Sequence, residues 1–109
     1  MAAATDLLLV LTTEADQERA EALARVLLER RLAACVALQP QLSLYHWQGG
    51  LQRGEEVQLL IKSHASRLAA LEQVVRKLHS YATPEWIHWP ARCSPGYGDW
   101  LLESISRPR

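Results

Sequence analysis

The sequence contains no phenylalanine and a single methionine, and aromatic residues make up only 6% of its 109 positions. Burial therefore falls to nineteen leucines, six valines, three isoleucines and four tryptophans. Neither sign of charge is in excess. Twelve Lys and Arg balance twelve Asp and Glu, which removes the basic face from which nucleic-acid recognition usually begins. The apolar run Leu7–Leu11 is far shorter than the roughly 20 residues of a membrane span. The two cysteines, Cys35 and Cys93, lie 58 positions apart and form no CxxC pair, so idle thiols of a cytoplasmic protein are expected rather than a disulfide. Met1–Ala4 is small and uncharged and Asp6 interrupts any signal-peptide core, so no targeting segment is expected. GxSxG, P-loop and HExxH patterns are all missing, which leaves no recognisable catalytic constellation.

What is present reads as one α+β domain. Leu7–Leu11 is too short for a helix and reads as a central strand. Thr13-Glu14-Ala15-Asp16 resembles a helix start, and Ala20, Leu23, Ala24 and Leu27 recur at helical spacing, predicting a helix from about Asp16 to Arg31. Ala33–Leu38 is a second strand, after which Pro40 is expected to mark a bulge or bend. Beyond it Leu42, Leu44 and His46 alternate with Ser43, Tyr45 and Trp47. Gly49-Gly50 supplies a hairpin turn and Val57–Lys62 the returning strand. A second helix is expected over about Ser66–His79, with a seam of Leu68, Leu71, Val75 and Leu78. Trp86–Trp89 reads as a fourth strand closed by Pro90, and Tyr97–Ser104 as a short last helix. Strand, helix, strand, strand, helix, strand is the ferredoxin-like split βαβ order, with two helices on one face of a four-stranded sheet. Its long second and third strands form a ribbon whose edges call for cover by another copy.

Four segments then resemble the CutA family of divalent-cation tolerance proteins. They are Arg31–Val36, Ser43-Leu44-Tyr45-His46-Trp47-Gln48-Gly49, Glu56–Lys62, and His79–Glu85 together with Tyr97–Leu101. The resemblance runs from about Leu7 to Ser104. It implies a ferredoxin-like homotrimer, a likeness to the nitrogen-regulatory signalling proteins, and no established enzymatic activity. This chain carries His79-Ser80-Tyr81 where the family usually has His-Pro-Tyr. Some members hold copper through a cysteine ending the first strand and two adjacent histidines. Here those positions are Thr12, Leu78 and His79.

The candidate residues follow from this reading. His79 and Cys93 are candidate ligands for copper or zinc, although no cofactor is required. His79 can equally be a histidine at a helix C-terminus, and Cys35 a small buried hydrophobe. Glu56, Lys62, Tyr81, Glu85 and Trp100 form a candidate intersubunit cleft. They serve either as an ion-pair network or as a small-ligand site with Lys62 as its cation. Tyr45 and Trp47 are the expected anchors of the trimer interface. The expected role is non-enzymatic: metal-ion response or signalling in the cytoplasm, with divalent metal ions or a small ligand as partners and neither nucleic acid nor membrane. Two rivals stand beside it. One is a small enzyme using Lys62 on an anionic substrate; the other is a scaffold that anchors another protein.

Overall fold

The structure, a computed structural model, describes residues 5–106. The Met1–Ala4 segment considered above for targeting lies outside them. The elements are β1 (Asp6–Glu14), α1 (Gln17–Glu29), β2 (Cys35–Trp47), β3 (Gly50–Ser63), α2 (Leu68–Leu78, entered through one 3-10 turn), β4 (Ile87–Arg92) and α3 (Pro95–Ser104). The sheet order is β2-β3-β1-β4, and each neighbouring pair is antiparallel. That is the ferredoxin-like topology expected from the order of elements.

Alternation along each strand divides the sheet into two faces. Leu8 and Val10 of β1 and Val57, Leu59 and Ile61 of β3 meet Ala20, Leu23 and Leu27 of α1 and Leu71 and Val75 of α2 in one core. Their neighbours Leu9, Leu11, Leu60 and Lys62 face the other way and are only half-buried. On that open face, among the described residues, α3 alone provides cover, packing Leu101 and Ile105 on Leu7. Two arginines hold its C-terminal end. Arg31 donates to Ser104 O at 2.8 Å and Arg67 to Ile105 O at 2.7 Å, satisfying carbonyls that a helix end leaves free.

Local signals explain the element ends, with some corrections. Asp16, rather than a Thr13 box, caps α1 by accepting from Arg19 N at 2.8 Å, because β1 continues to Glu14. The chain leaves α1 with Arg31 at φ 59, while Leu32 N reaches Leu27 O and Arg31 N reaches Leu28 O, a Schellman motif. Ser94 caps α3 and Pro95 occupies its first turn, so this helix begins two residues before Tyr97. Leu78 is 45% exposed and leaves the predicted seam, which Leu71 and Val75 carry.

The two prolines do not interrupt strands as expected. Pro40 pairs with Val57 in an unbroken register and Pro90 pairs with Leu8 inside β4. Both lie on edge strands, where half the backbone N–H groups face away from the ladder and a proline nitrogen is tolerated. The β2–β3 ribbon turns at Gln48 (φ 51) and Gly49 (φ 81). This two-residue loop with both φ positive matches strand twist. The ribbon stretches the molecule to 53 × 27 × 22 Å.

Candidate functional site

Where the ribbon leaves the sheet body, the segment joining α2 to β4 closes over the end of β1. Glu14 ends that strand with a side chain 2% exposed. It accepts from Ala15 N at 2.9 Å and from Ser80 N at 3.1 Å, and the Ser80 hydroxyl also donates to it. Burial pushes the Glu14 carboxyl up, but the Ser80 hydroxyl and the Ala15 and Ser80 amides together hold it below its ordinary value. The His79 ring is fully buried. Its Nε2–H donates to Thr13 O at 2.5 Å, and its Nδ1 accepts from Tyr81 N at 3.0 Å. A carbonyl can only accept and an amide can only donate, so the two contacts define the tautomer and occupy both ring nitrogens. Sequence reasoning saw Glu14 only as part of a helix start. Its partner Ser80 is 66 residues away, and no local pattern announces it.

This latch positions Tyr81. The Tyr81 hydroxyl donates to Glu56 Oε2 at 3.1 Å, and the Thr13 hydroxyl donates to the same oxygen at 3.4 Å. Burial, followed by the charge of Glu56, pushes the Tyr81 phenol up to about 12, so it remains a proton donor at neutral pH. Glu85 shares the same cavity of about 740 Å³, which is lined also by Ser43, Tyr45 and Trp47. Burial and then the Glu56 charge raise the Glu85 carboxyl above its ordinary value. Among the described residues nothing donates to Glu85 or to Glu56 Oε1. The cavity thus holds two mutually repelling carboxylates, one tethered and one free, between aromatic walls.

The five-residue cleft expected from the sequence divides within one chain. Glu56, Tyr81 and Glu85 meet, joined by Tyr45 and Trp47. Lys62 is six positions from Glu56 along β3, about 20 Å at strand rise. Its ammonium lies 5.8 Å from the Tyr97 ring centroid, and Tyr97 in turn packs 5.3 Å from Trp100. The sequence reading grouped Glu56 and Lys62 in one cleft, but the extended strand holds them apart. The candidate metal residues also separate. His79 touches the C-terminal end of β1, whereas Cys93 N bonds Thr5 O beside its start, with Cys93 packed near Leu7 and Leu101. Cys35 is half-buried beside Lys62 in the β2–β3 register. Among the described residues no three His, Cys, Asp or Glu side chains gather into a ligand set.

Comparison with known proteins supplies what one chain's geometry leaves open. The CutA1 divalent ion tolerance protein family matches residues 8–104. The divalent-cation tolerance protein CutA of Pectobacterium atrosepticum is 45% identical over 97 residues, covering 88% of this chain and 86% of that one. The structure of CutA from Synechococcus elongatus superposes with a TM-score of 0.91 at 39% identity, over 96% of this chain and 95% of the other. The periplasmic divalent cation tolerance protein CutA from Archaeoglobus fulgidus superposes with a TM-score of 0.89 at 31% identity, over 92% and 99% of the two chains.

Proposed function

The chain belongs to the CutA1 divalent-ion-tolerance family, and from that premise we propose that it is a non-enzymatic homotrimer that takes up divalent cations at clefts between its subunits. The observation that carries this reading is the carboxylate pair Glu56 and Glu85 in one cavity, with acceptor oxygens still free. The Glu56 charge raises the cost of ionising Glu85, and a cation relieves it. Two carboxylates and a phenol are oxygen donors, which suit a hard divalent ion better than copper. Copper or zinc at His79 and Cys93 requires release of a ring nitrogen that the backbone now holds, and ligands from two chains. With only two acids per chain the binding is weak, completed by water or by a neighbouring copy. A second reading rests on the size of the cavity. A volume of about 740 Å³ walled by Tyr45 and Trp47 suits a small organic ligand better than a bare ion.

Assembly is supported by exposed apolar surface. Ile87 is 49% exposed, Trp89 39% and Trp47 59%. The chain exposes 7284 Å², against about 6,100 Å² for a compact monomer of this mass. The family and its relatives are named for cation tolerance rather than for a reaction. Lys62 lies too far from Glu85 and Tyr81 in one chain to share proton transfer with them, which disfavours the enzymatic rival. A cytoplasmic location belongs to the same reading and is supported by the two free thiols.

Native mass spectrometry of the protein alone and with manganese, zinc or copper tests both parts. The expected result is a trimer that gains about one ion per subunit at micromolar concentration and loses it on Glu85→Gln. A monomer overturns the assembly, and a trimer that stays metal-free with all three ions overturns the cation site.

A further inference from the structure

A second cavity, of about 510 Å³, opens where α1 ends and α2 begins. It lies far from the acidic one. Ser63, whose hydroxyl donates to Leu32 O in its wall at 2.7 Å, is seven positions from Glu56 along β3, about 23 Å at strand rise. Arg30, Arg31 and Arg67 line it, and among the described residues Glu29 is the one acid that does. The end of α3 holds two of the arginines in place. Arg31 donates to Ser104 O at 2.8 Å and Arg67 to the next carbonyl, Ile105 O, at 2.7 Å, while Arg67 Nε reaches Arg31 O at 3.2 Å. Successive carbonyls thus hold two guanidiniums at one helix end, where like charges repel. Arg31 spends one of its five N–H donors in this way and Arg67 two. Among the described residues none of the three arginines has an acidic partner, since the ion pairs there involve Arg19, Arg76, His79 and Arg92. Arg31 also stands at φ 59, the left-handed position after a helix where glycine is the usual residue. The cavity therefore carries an arginine where the backbone alone favours none.

We infer that this cavity is a binding site for a compact phosphate anion of the diphosphate class, independent of the cation reading above. Charge selects an anion, because three guanidiniums face one carboxylate. Geometry selects phosphate. Arginine forks pair bidentately with phosphate oxygens, and a diphosphate offers an oxygen edge to each of several forks where a carboxylate offers one. The volume is that of a small-ligand site, yet among the described residues no aromatic side chain lines it, so its wall has nothing on which a base or ring could stack. The Ser66 hydroxyl is engaged with His64 Nδ1 at 2.9 Å, which leaves recognition to the arginines. An anion between Arg31 and Arg67 relieves their repulsion, and Arg30, exposed and without a partner among the described residues, completes the set. Glu29 opposes the same anion and limits its affinity.

Titration calorimetry of the full chain with inorganic pyrophosphate, at low salt and without added metal, tests the site. The parent is expected to bind at submillimolar concentration. Arg30→Glu is expected to weaken binding about 10-fold or more. Glu29→Gln, which removes the opposing charge, is expected to tighten it about twofold or more. Arg92→Gln, at an exposed arginine paired with Asp6 at 3.3 Å, measures general attraction and is expected to stay within about twofold of the parent. Glu29 and Arg30 are both exposed, so their variants are expected to keep the fold. Amide chemical shifts of the parent give a reading that needs no variant: Ser66, Arg67 and Ile105 are expected to move as pyrophosphate is added. A parent that binds no pyrophosphate up to about 10 mM overturns the site. So does equal weakening in Arg30→Glu and Arg92→Gln, or a set of shifts confined to residues outside the cavity.

Discussion

Leu59 and Leu60 are neighbours on β3, yet one is fully buried beneath α1 and α2 while the other is half-exposed on the opposite face. The two faces of the sheet differ in the same way throughout. On the covered face Val10, Leu59, Ile61, Leu71 and Val75 have no exposed surface at all. On the open face Ile87, Trp89 and Trp100 retain 49%, 39% and 44% of theirs. Composition does not separate the faces, since both are rich in leucine and aromatic or branched residues. The difference lies in what the chain can reach: two amphipathic helices finish one core, and ten residues of α3 cover only one end of the other. The covered face is completed within one chain, and the open face leaves large apolar side chains exposed.

That contrast is open to direct attack. Leu59→Ala removes a fully buried side chain and is expected to cost about 2–5 kcal/mol. Leu60→Ala, measured by denaturant unfolding in dilute protein, is expected to cost less than about 1 kcal/mol while still weakening assembly. Equal costs for the two in dilute protein would break the distinction between the faces.

A smaller effect is expected at Glu14, where the covered face meets the latch. Glu14→Gln keeps the shape but presents an amide N–H₂ to donors that need an acceptor, at a cost of about 1–3 kcal/mol. The pH dependence carries a definite sign. The folded carboxyl lies below its unfolded value, so its stabilisation is present above the ordinary glutamate range and is lost as pH falls through the folded value. The variant's stability should therefore vary less over the acid range than the parent's, and an unchanged acid limb would show that the Ser80 contacts contribute nothing.

The smallest effect concerns Glu85, whose shift is opposite in sign. Its folded value lies above the ordinary one, so the stabilisation it lends as a neutral acid is present below that range and is lost as pH rises through the folded value. Glu85→Gln should flatten stability on that side, above pH about 4.3. Because burial and the Glu56 charge cause the shift, Glu56→Gln should reduce the same slope. A Glu85 slope indifferent to Glu56 would mean that the two acids do not sense each other.

Much of the fold was legible because its causes are local. Period-two alternation from Leu42 to Trp47 placed those side chains on opposite faces, and the β2–β3 register bears this out. Helical spacing of Ala20, Leu23, Ala24 and Leu27 identified the buried stripe of α1. Pro40 and Pro90 were misread as breaks because tolerance for proline depends on being at an edge, and strand order decides which strands are edges. The site was legible only by residue type. Family resemblance picked out Glu56, Lys62, Tyr81, Glu85 and Trp100, and nothing in their spacing revealed that they belong to two places within one chain.

The sequence alone therefore determined the order of elements, the alternation of side chains from Leu42 to Trp47, a hairpin turn at the ribbon tip and the family. Each of these follows from interactions within a few residues or from a linear pattern of residue types. Only the tertiary structure decided that Glu14 is buried against Ser80, that His79 spends both ring nitrogens on the backbone, and that Glu56 meets Tyr81 and Glu85 while Lys62 does not. Most of those outcomes depend on contacts between residues 25 to 66 positions apart, which are set by how the chain folds back on itself and not by any local pattern.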